Sequence, residues 1–551
     1  MATRSTQSAT VTGSGVVLAV LASAQFLMTL DSSVMNVSIR QVAADVGTTV
    51  TGIQTAITLY TLVMASLMIT GGKIGAIIGR RRAFAIGLVI YGVGSAVTAA
   101  APNLGVLLVG WSFLEGVGAA LIMPAVVALV AGNFEKERRP AAYGMIAAAG
   151  AVAVAVGPLL GGAVTTYASW RWVFVGEVVV VLVILAMSRK ITDAPATDHG
   201  TFDVVGALLS IVGLSMFVLG VLKSGEWGWV QARPGAPTFL GTSPVVWLVL
   251  GGLLVVYSFF LWSGYVERRG GEPLVHPRML ANRQLDGGLF MFFFQFLIQA
   301  GVFFTIPLFL SVVLELSAVQ TGVRLLPLSV ALLIAAVGVP RLAPRARPRR
   351  VVRLGLMCMT AGILVFIGGI SPGAAAGIVT IPMLLLGFGI GALASQLGAV
   401  TVSAVADSQS AEVGGLQNTM TNLGASLGTA LVGAVLISSL TAGIAHGINT
   451  NTAIPADFQS KATAQLSSGV PFTSDSDVQK QLSAAGVPAP VADEIIKENS
   501  AARLVALRDA LWVVAVLSVV ALFLTGLVPT EPVGRRRDDA GEPSVAQASS
   551  D

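Results

Sequence analysis

Long apolar runs recur along almost the whole chain, and they leave few folds open. Taken at about 18 residues or more, they lie near 16–38, 52–71, 83–100, 104–131, 140–166, 171–188, 204–223, 244–265, 286–310, 319–340, 352–371, 375–400, 412–440 and 505–528, fourteen in all. Inside hydrocarbon every backbone donor and acceptor must be satisfied within the segment itself, so each run is expected to be a helix. The expectation is an all-α polytopic membrane protein. Only 11% of the residues are charged and 54% are hydrophobic, where soluble domains carry roughly 25% charge. The 62 glycines suit helices that approach closely in lipid.

The charges follow the membrane. If the N-terminus is cytoplasmic, 23 of the 33 basic residues fall on the inner side of the spans. That bias predicts both termini inside a cytoplasmic (inner) membrane and argues against nucleic acid as the partner of the net +5 charge. Ala22-Ser23-Ala24 has the small-x-small form of a signal-peptidase site, but the apolar run continues past it and the leader holds one arginine, so no cleavage is expected. Cys358 stands alone, and His199, His276 and His446 are far apart, which excludes an internal disulfide and predicts no metal site and no cofactor.

Outside the spans the chain offers little. Residues 1–15 read as a cytoplasmic tail and 529–551 as a disordered one. Residues 441–504 form an outside loop, in which Ser474 and Asp477 make a capping pair for a short helix with Val478, Leu482 and Ala485 at helical spacing. Pro488 and Pro490 are expected to open a second short helix. A weak internal repeat is also present: Gly71–Gly87 and Pro340–Gly355 each end a basic turn and run into a new span. Two halves on one plan are what a transporter with parallel repeats shows.

Three acids stand inside the first six spans without a lysine or arginine deep among them: Asp31, Glu115 and Glu177. A charge at the bilayer centre costs about 2.5–3.5 kcal/mol on the mildest scale, so such acids mark a pathway. A buried carboxyl can take up a proton on an acidic side and release it on the other, and once charged it would attract a cationic substrate. Glu177 could instead cap a helix at the outer interface. The ninth run holds eight phenylalanines between Phe290 and Phe309, with Gln295 and Gln299 four apart on one face. The aromatic rings suit lipid and packing with a share for a ligand wall, and the amides make Gln295 and Gln299 substrate-pocket candidates. Arg80-Arg81-Arg82 can cap helix ends and pair across the halves, or simply signal topology. Gly157-Pro158 frees a carbonyl and can bend its helix, and Gly161 and Gly162 permit close packing, which together suggest a pivot. Arg324 reads as a snorkelling anchor.

With these residues in view, the chain resembles the fourteen-span drug/proton antiporters of the major facilitator superfamily from about Leu30 to Val528. Leu30-Asp31-Ser32-Ser33-Val34-Met35-Asn36-Val37 resembles the first-helix motif, with Asp31 as its acid. Gly72, Lys73, Gly79, Arg80 and Arg81 match the loop signature between helices two and three. Gly144, Gly157, Pro158, Gly161 and Gly162 match the fifth-helix antiporter motif, and Trp170-Arg171-Trp172 with Phe174 matches the segment that usually comes after it. The departures are Ala76 and Ile77 in place of an acid and a base, Ser112 and Glu115 in place of Arg and Gln, and Glu177 in place of Asn. The resemblance implies two six-helix halves, 16–188 and 286–528, with two extra helices in 189–285 between them. It also implies proton-coupled efflux of hydrophobic, cationic drugs by a monomer working in the lipid bilayer, with the loop 72–82 as a cytoplasmic gate.

Other classes fit less well. There is no Ser/His/Asp set, no metal spacing and no phosphate-binding GxxxxGK[ST] run, so an enzyme or ATP-driven pump is not expected. A sensor would need an output domain that the chain does not carry. Within transport, the alternatives are proton-coupled export of an endogenous metabolite or amino acid, and an uncoupled facilitator.

Overall fold

The computed structural model describes residues 3–48, 50–193, 202–233, 235–316, 318–343, 345–406, 409–455, 459 and 472–531. In chain order the helices are α1 Thr3–Asp45, α2 Val50–Ile78, α3 Arg80–Ala99, α4 Leu104–Asn133, α5 Arg139–Tyr167, α6 Arg171–Ser188, α7 Val204–Trp227 and α8 Pro244–Arg268. Then come α9 Arg283–Val313, α10 Ala318–Leu342, α11 Pro348–Gly369, α12 Thr380–Val402, α13 Ser410–Thr450, α14 Asp475–Ala484 and α15 Ala489–Leu524. Thirteen of these are long and apolar enough to cross a membrane. The helix α5, at 29 residues, is the remaining long one, and only part of its side chains is described. No strand occurs among the described residues.

The breaks between helices have local causes. Gly79 takes a φ of 99° between α2 and α3, a conformation open to glycine and strained for other residues. Asn103 caps α4 by accepting from the Val106 N–H at 3.1 Å, and Ser474 caps α14 by accepting from the Asp477 N–H at 3.2 Å, the pair expected from the sequence.

The first helix starts at Thr3, so residues 3–15 of the expected tail are helical. Two expectations need correction. The helix α13 continues ten residues beyond 440, to Thr450. The second short helix expected at Pro488 and Pro490 is the opening of α15 and runs unbroken into the last span. Proline in a first turn costs no hydrogen bond, and no Gly or Pro follows between Val491 and Thr525 to stop the helix. The stripe Val478, Leu482 and Ala485 of α14 is not buried. The region after Glu531 lies outside the described residues.

Helix pairing repeats. The contacts α1–α5, α2–α4, α3–α4 and α3–α6 of the first half recur in the second as α9–α13, α10–α12, α11–α12 and α11–α15. The two glycines that close the sequence repeat hold equivalent places in it. A Cβ on Gly87 of α3 would lie 2.9 Å from the Gly118 carbonyl of α4, and a Cβ on Gly355 of α11 would lie 2.9 Å from the Gly389 carbonyl of α12. Each is a helix crossing that only the smallest residue allows.

The halves meet through α2 and α4 on α13, and α5 on α10 and α12. The helices α7 and α8 pair with each other, and α7 lies against both α2 and α13, across the seam. On α8, Leu250, Leu254, Tyr257 and Leu261 are all exposed. Their spacing puts them on one stripe facing away from the bundle, which suits hydrocarbon rather than water.

Candidate functional site

The three acids come together. Carboxylate oxygens of Asp31 (α1), Glu115 (α4) and Glu177 (α6) lie within 4.8 Å of one another, and all three side chains are buried. Glu177 is therefore not an interfacial cap. Each acid has one partner. Trp111 Nε1–H donates to Asp31 Oδ1 at 2.8 Å, Thr98 Oγ1–H to Glu115 Oε1 at 3.2 Å, and Ser95 Oγ–H to Glu177 Oε2 at 3.2 Å. The other oxygens, Asp31 Oδ2, Glu115 Oε2 and Glu177 Oε1, are buried without a partner. No ion pair to any of the three is present among the described residues.

Local backbone builds this arrangement. Residues Leu108–Glu115 of α4 form a π-helical stretch, a widened turn often found at functional positions. It carries Trp111, Ser112 and Glu115 inward, all buried. Trp111 stacks on Tyr60 of α2, with ring centroids 5.0 Å apart and planes at 6°. Gly94 of α3 makes room for the acid: a Cβ there would meet Glu115 Cγ at 2.6 Å. Ser112 donates to the Ala56 carbonyl at 2.8 Å. Two ionised carboxylates at this separation repel by on the order of 3 kcal/mol at an effective dielectric of about 20. Ionisation of one acid therefore disfavours ionisation of the other two.

A separate cavity of about 230 Å³ lies between the halves. Gln295, Gln299, Phe292, Phe296 and Phe303 of α9 face it, opposite Gln25 and Thr29 of α1 and beside Gln417 and Asn418 of α13. Among the described residues, none that lines it is charged. Thr29 faces this cavity while Asp31, two residues on, faces the triad, because positions i and i+2 of a helix point apart.

The end of the bundle that carries the basic turns is closed by backbone contact. A Cβ on Gly72 of α2 would lie 2.6 Å from the Ala411 carbonyl of α13, one on Gly415 would lie 2.9 Å from the Met68 carbonyl, and one on Gly414 would lie 2.8 Å from the Pro124 carbonyl. Gly144 of α5 abuts the Ala336 carbonyl of α10 in the same way. Beside these crossings sits a charge cluster. Lys73, 1% exposed, lies 3.7 Å from Glu412 of α13 and 3.7 Å from Glu272 in the α8–α9 linker. His276 of that linker meets Glu412 at 3.1 Å and Glu272 at 3.4 Å. The Glu412 hydrogen bond raises the His276 pKa above its ordinary value of 6.5, against the pull of partial burial.

Of the residues expected in the gate loop, Lys73 carries this cross-half charge contact. Arg80 reaches the Ala128 carbonyl of α4 at 3.5 Å, within the first half, and Arg81 reaches Asp193 and the Ile191 carbonyl in the segment that follows α6; Arg82 is exposed. Gly157 and Gly161 pack on Ser33 and Val34 of α1, not on the other half, with Gly157 set to bring a Cβ within 2.5 Å of Ser33 Cβ. Gly162 is half-buried, and the Pro158 side chain lies outside the described residues. At the opposite end, Trp170 and Arg171 both hold Asp45, at 2.9 and 3.5 Å. Sequence reasoning missed Trp111, Tyr60, Gln417, Asn418, Glu412 and His276. The acid in the first turn of α13 and the Gln-Asn pair just after it were the available signals.

A family model described as Major Facilitator Superfamily matches residues 21–429. The chain is 32% identical over 437 residues, 78% of its length and 83% of the relative, to the puromycin resistance protein pur8 of Streptomyces alboniger. It is 28% identical over 430 residues, 75% and 83% of the two chains, to the cephamycin export protein CmcT of Amycolatopsis lactamdurans. Its fold superposes on the proton:xylose symporter XylE with a TM-score of 0.55 at 12% identity, covering 95% of this chain and 98% of that one. These matches, with the repeated helix pairing, place the chain in the major facilitator superfamily of multi-pass membrane transporters.

Proposed function

We propose that the protein is a proton-coupled exporter of hydrophobic drug-like compounds, working by alternating access in the cytoplasmic membrane as a monomer with both termini inside. The observation that carries this reading is the triad of Asp31, Glu115 and Glu177, buried within one half, next to a cavity shared by both. A proton arriving at the triad relieves repulsion among α1, α4 and α6, and so changes the packing of the half that forms one wall of the cavity. The Gly72, Gly144, Gly414 and Gly415 crossings are the surfaces that must part when the basic end opens. Gly157 and Gly161, against α1, keep the α1–α5 pair rigid while it rocks. Export rather than import is supported by relatives named for puromycin resistance and cephamycin export.

The test is uphill efflux in proteoliposomes with an imposed pH gradient. Asp31→Asn and Glu115→Gln keep shape and hydrogen bonding but remove titration, so both are expected to abolish gradient-driven uphill efflux while the protein stays inserted. Normal uphill rates in both variants would reject the assignment.

A further inference from the structure

We propose that the cavity between the halves binds uncharged aromatic compounds that carry hydrogen-bonding groups, recognised by the side-chain amides of Gln295 and Gln299 and kept apart from the carboxylates that carry the proton. This deepens the exporter reading above and rests on it.

Among the described residues, no lysine, arginine, aspartate or glutamate lines the cavity. A cation entering it would give up water and find no counter-charge. Cation–π contact with the faces of Phe292, Phe296 and Phe303 returns only a fraction of that loss. An anion would be no better served. The carboxylates that the sequence suggested as attractors for a cation point into the first half instead, two residues and half a turn away from Thr29.

What the wall offers is neutral and unused. Gln295 is 2% exposed, and its Oε1 has no hydrogen-bond partner; Gln299 Oε1 is buried and unpartnered as well. An orphaned buried amide oxygen is costly, and a ligand hydroxyl or N–H would recover that cost. The neighbouring polar groups are largely spent: Gln25 Nε2–H donates to Thr29 Oγ1 at 3.1 Å, Asn418 Nδ2–H to the Gly414 carbonyl at 2.8 Å, and Gln417 Nε2–H to Thr401 Oγ1. The free amides therefore lie on α9, four residues apart on one face, between phenylalanine rings. A flat ring system stacked on those rings would present its polar edge to both amides.

The experiment is equilibrium binding to the full-length protein in nanodiscs, with no pH gradient, using 2-aminoanthraquinone, whose N–H groups have no acceptor within the molecule, as the uncharged probe and ethidium as a permanent cation with a comparable ring system. The anthraquinone is expected to bind at least tenfold more tightly than ethidium. Gln295→Met and Gln299→Met, which keep length and apolar packing, are each expected to weaken it about tenfold with an unchanged melting temperature. Should Gln295→Met melt early, Gln299→Met and the order of the two probes decide. Tighter binding of ethidium, no binding of the anthraquinone, or wild-type affinity in the folded glutamine variants would overturn the proposal. Uphill efflux by Asp31→Asn would reject the proton reading alone, because it leaves this gradient-free measurement untouched.

Discussion

At the scale of single residues, the chain spends stability to keep three carboxylates dry. Each has one donor and one bare oxygen, and a half-satisfied buried network is worse than an apolar one unless it is used. Trp111 is its most exacting support, because it both donates to Asp31 and stacks on Tyr60. Trp111→Phe keeps the stack and deletes the donor, leaving Asp31 Oδ1 unpaired at a cost of about 1–3 kcal/mol. The expected outcome is a lower melting temperature and at least a tenfold slower gradient-driven efflux, whereas Trp172→Phe, an exposed neighbour in the Trp-Arg-Trp segment, changes neither. Equal behaviour of the two variants in melting and efflux assays would remove Trp111 from the site. The acids themselves were legible in the sequence, since a carboxylate in an apolar run has few innocent explanations. Their donors were not: serine, threonine and tryptophan are ordinary in membrane helices, and only the π-helical turn of α4 shows which of them turn inward.

At the scale of elements, glycine decides where helices touch and charge decides how firmly. Gly72, Gly414 and Gly415 bring α2, α4 and α13 to backbone contact, and Lys73, Glu412, Glu272 and His276 sit at the rim of that contact. His276 faces Glu412 from α13, Lys73 from α2 and Glu272 from its own linker. Its pKa is raised in the closed form, so the protonated ring is held more tightly there than after opening. The stabilisation is full below the ordinary value of 6.5 and fades as pH rises through the raised one. Hydrogen exchange at Ser410–Gln417, corrected for intrinsic rate, is thus expected to quicken as pH rises above 6.5 and through the raised pKa of His276. His276→Gln should flatten that step; a step of unchanged size in the variant would show that another group governs it. Gly72→Leu, placing bulk against the Ala411 carbonyl, should speed exchange in the same segment at every pH and stop transport. None of this cluster except Lys73 could be picked from sequence, because the linker's approach to α13 depends on how α7 lies across the seam. Helix ends were less legible still, since a run of hydropathy stops at the membrane while α13 and α15 continue beyond it.

At the scale of the whole molecule, the two halves repeat the same helix pairs, and each lends equivalent helices to the seam, α2 on α13 and α10 on α5. Such symmetry gives the cavity two alternative closures, one at each end, and the structure is closed at the end bearing the basic turns. The charge count predicts that this end faces the cytoplasm: by sequence, 23 of the 33 basic residues fall in segments expected on its side of the spans, and cytoplasmic loops hold the excess of lysine and arginine. The fold was legible in the sequence because hydropathy needs no tertiary contact to read, and the orientation is an expectation from charge alone. A labelling experiment can decide it. In a Cys358→Ser background, Lys480→Cys on α14 and Arg82→Cys in the α2–α3 turn both offer exposed positions. Ser474 would serve less well, being the buried cap of α14. A membrane-impermeant maleimide is expected to modify Lys480→Cys in intact cells and Arg82→Cys only after permeabilisation. The reverse pattern would invert the molecule in the membrane, and with it the direction in which a proton gradient drives cargo through the cavity.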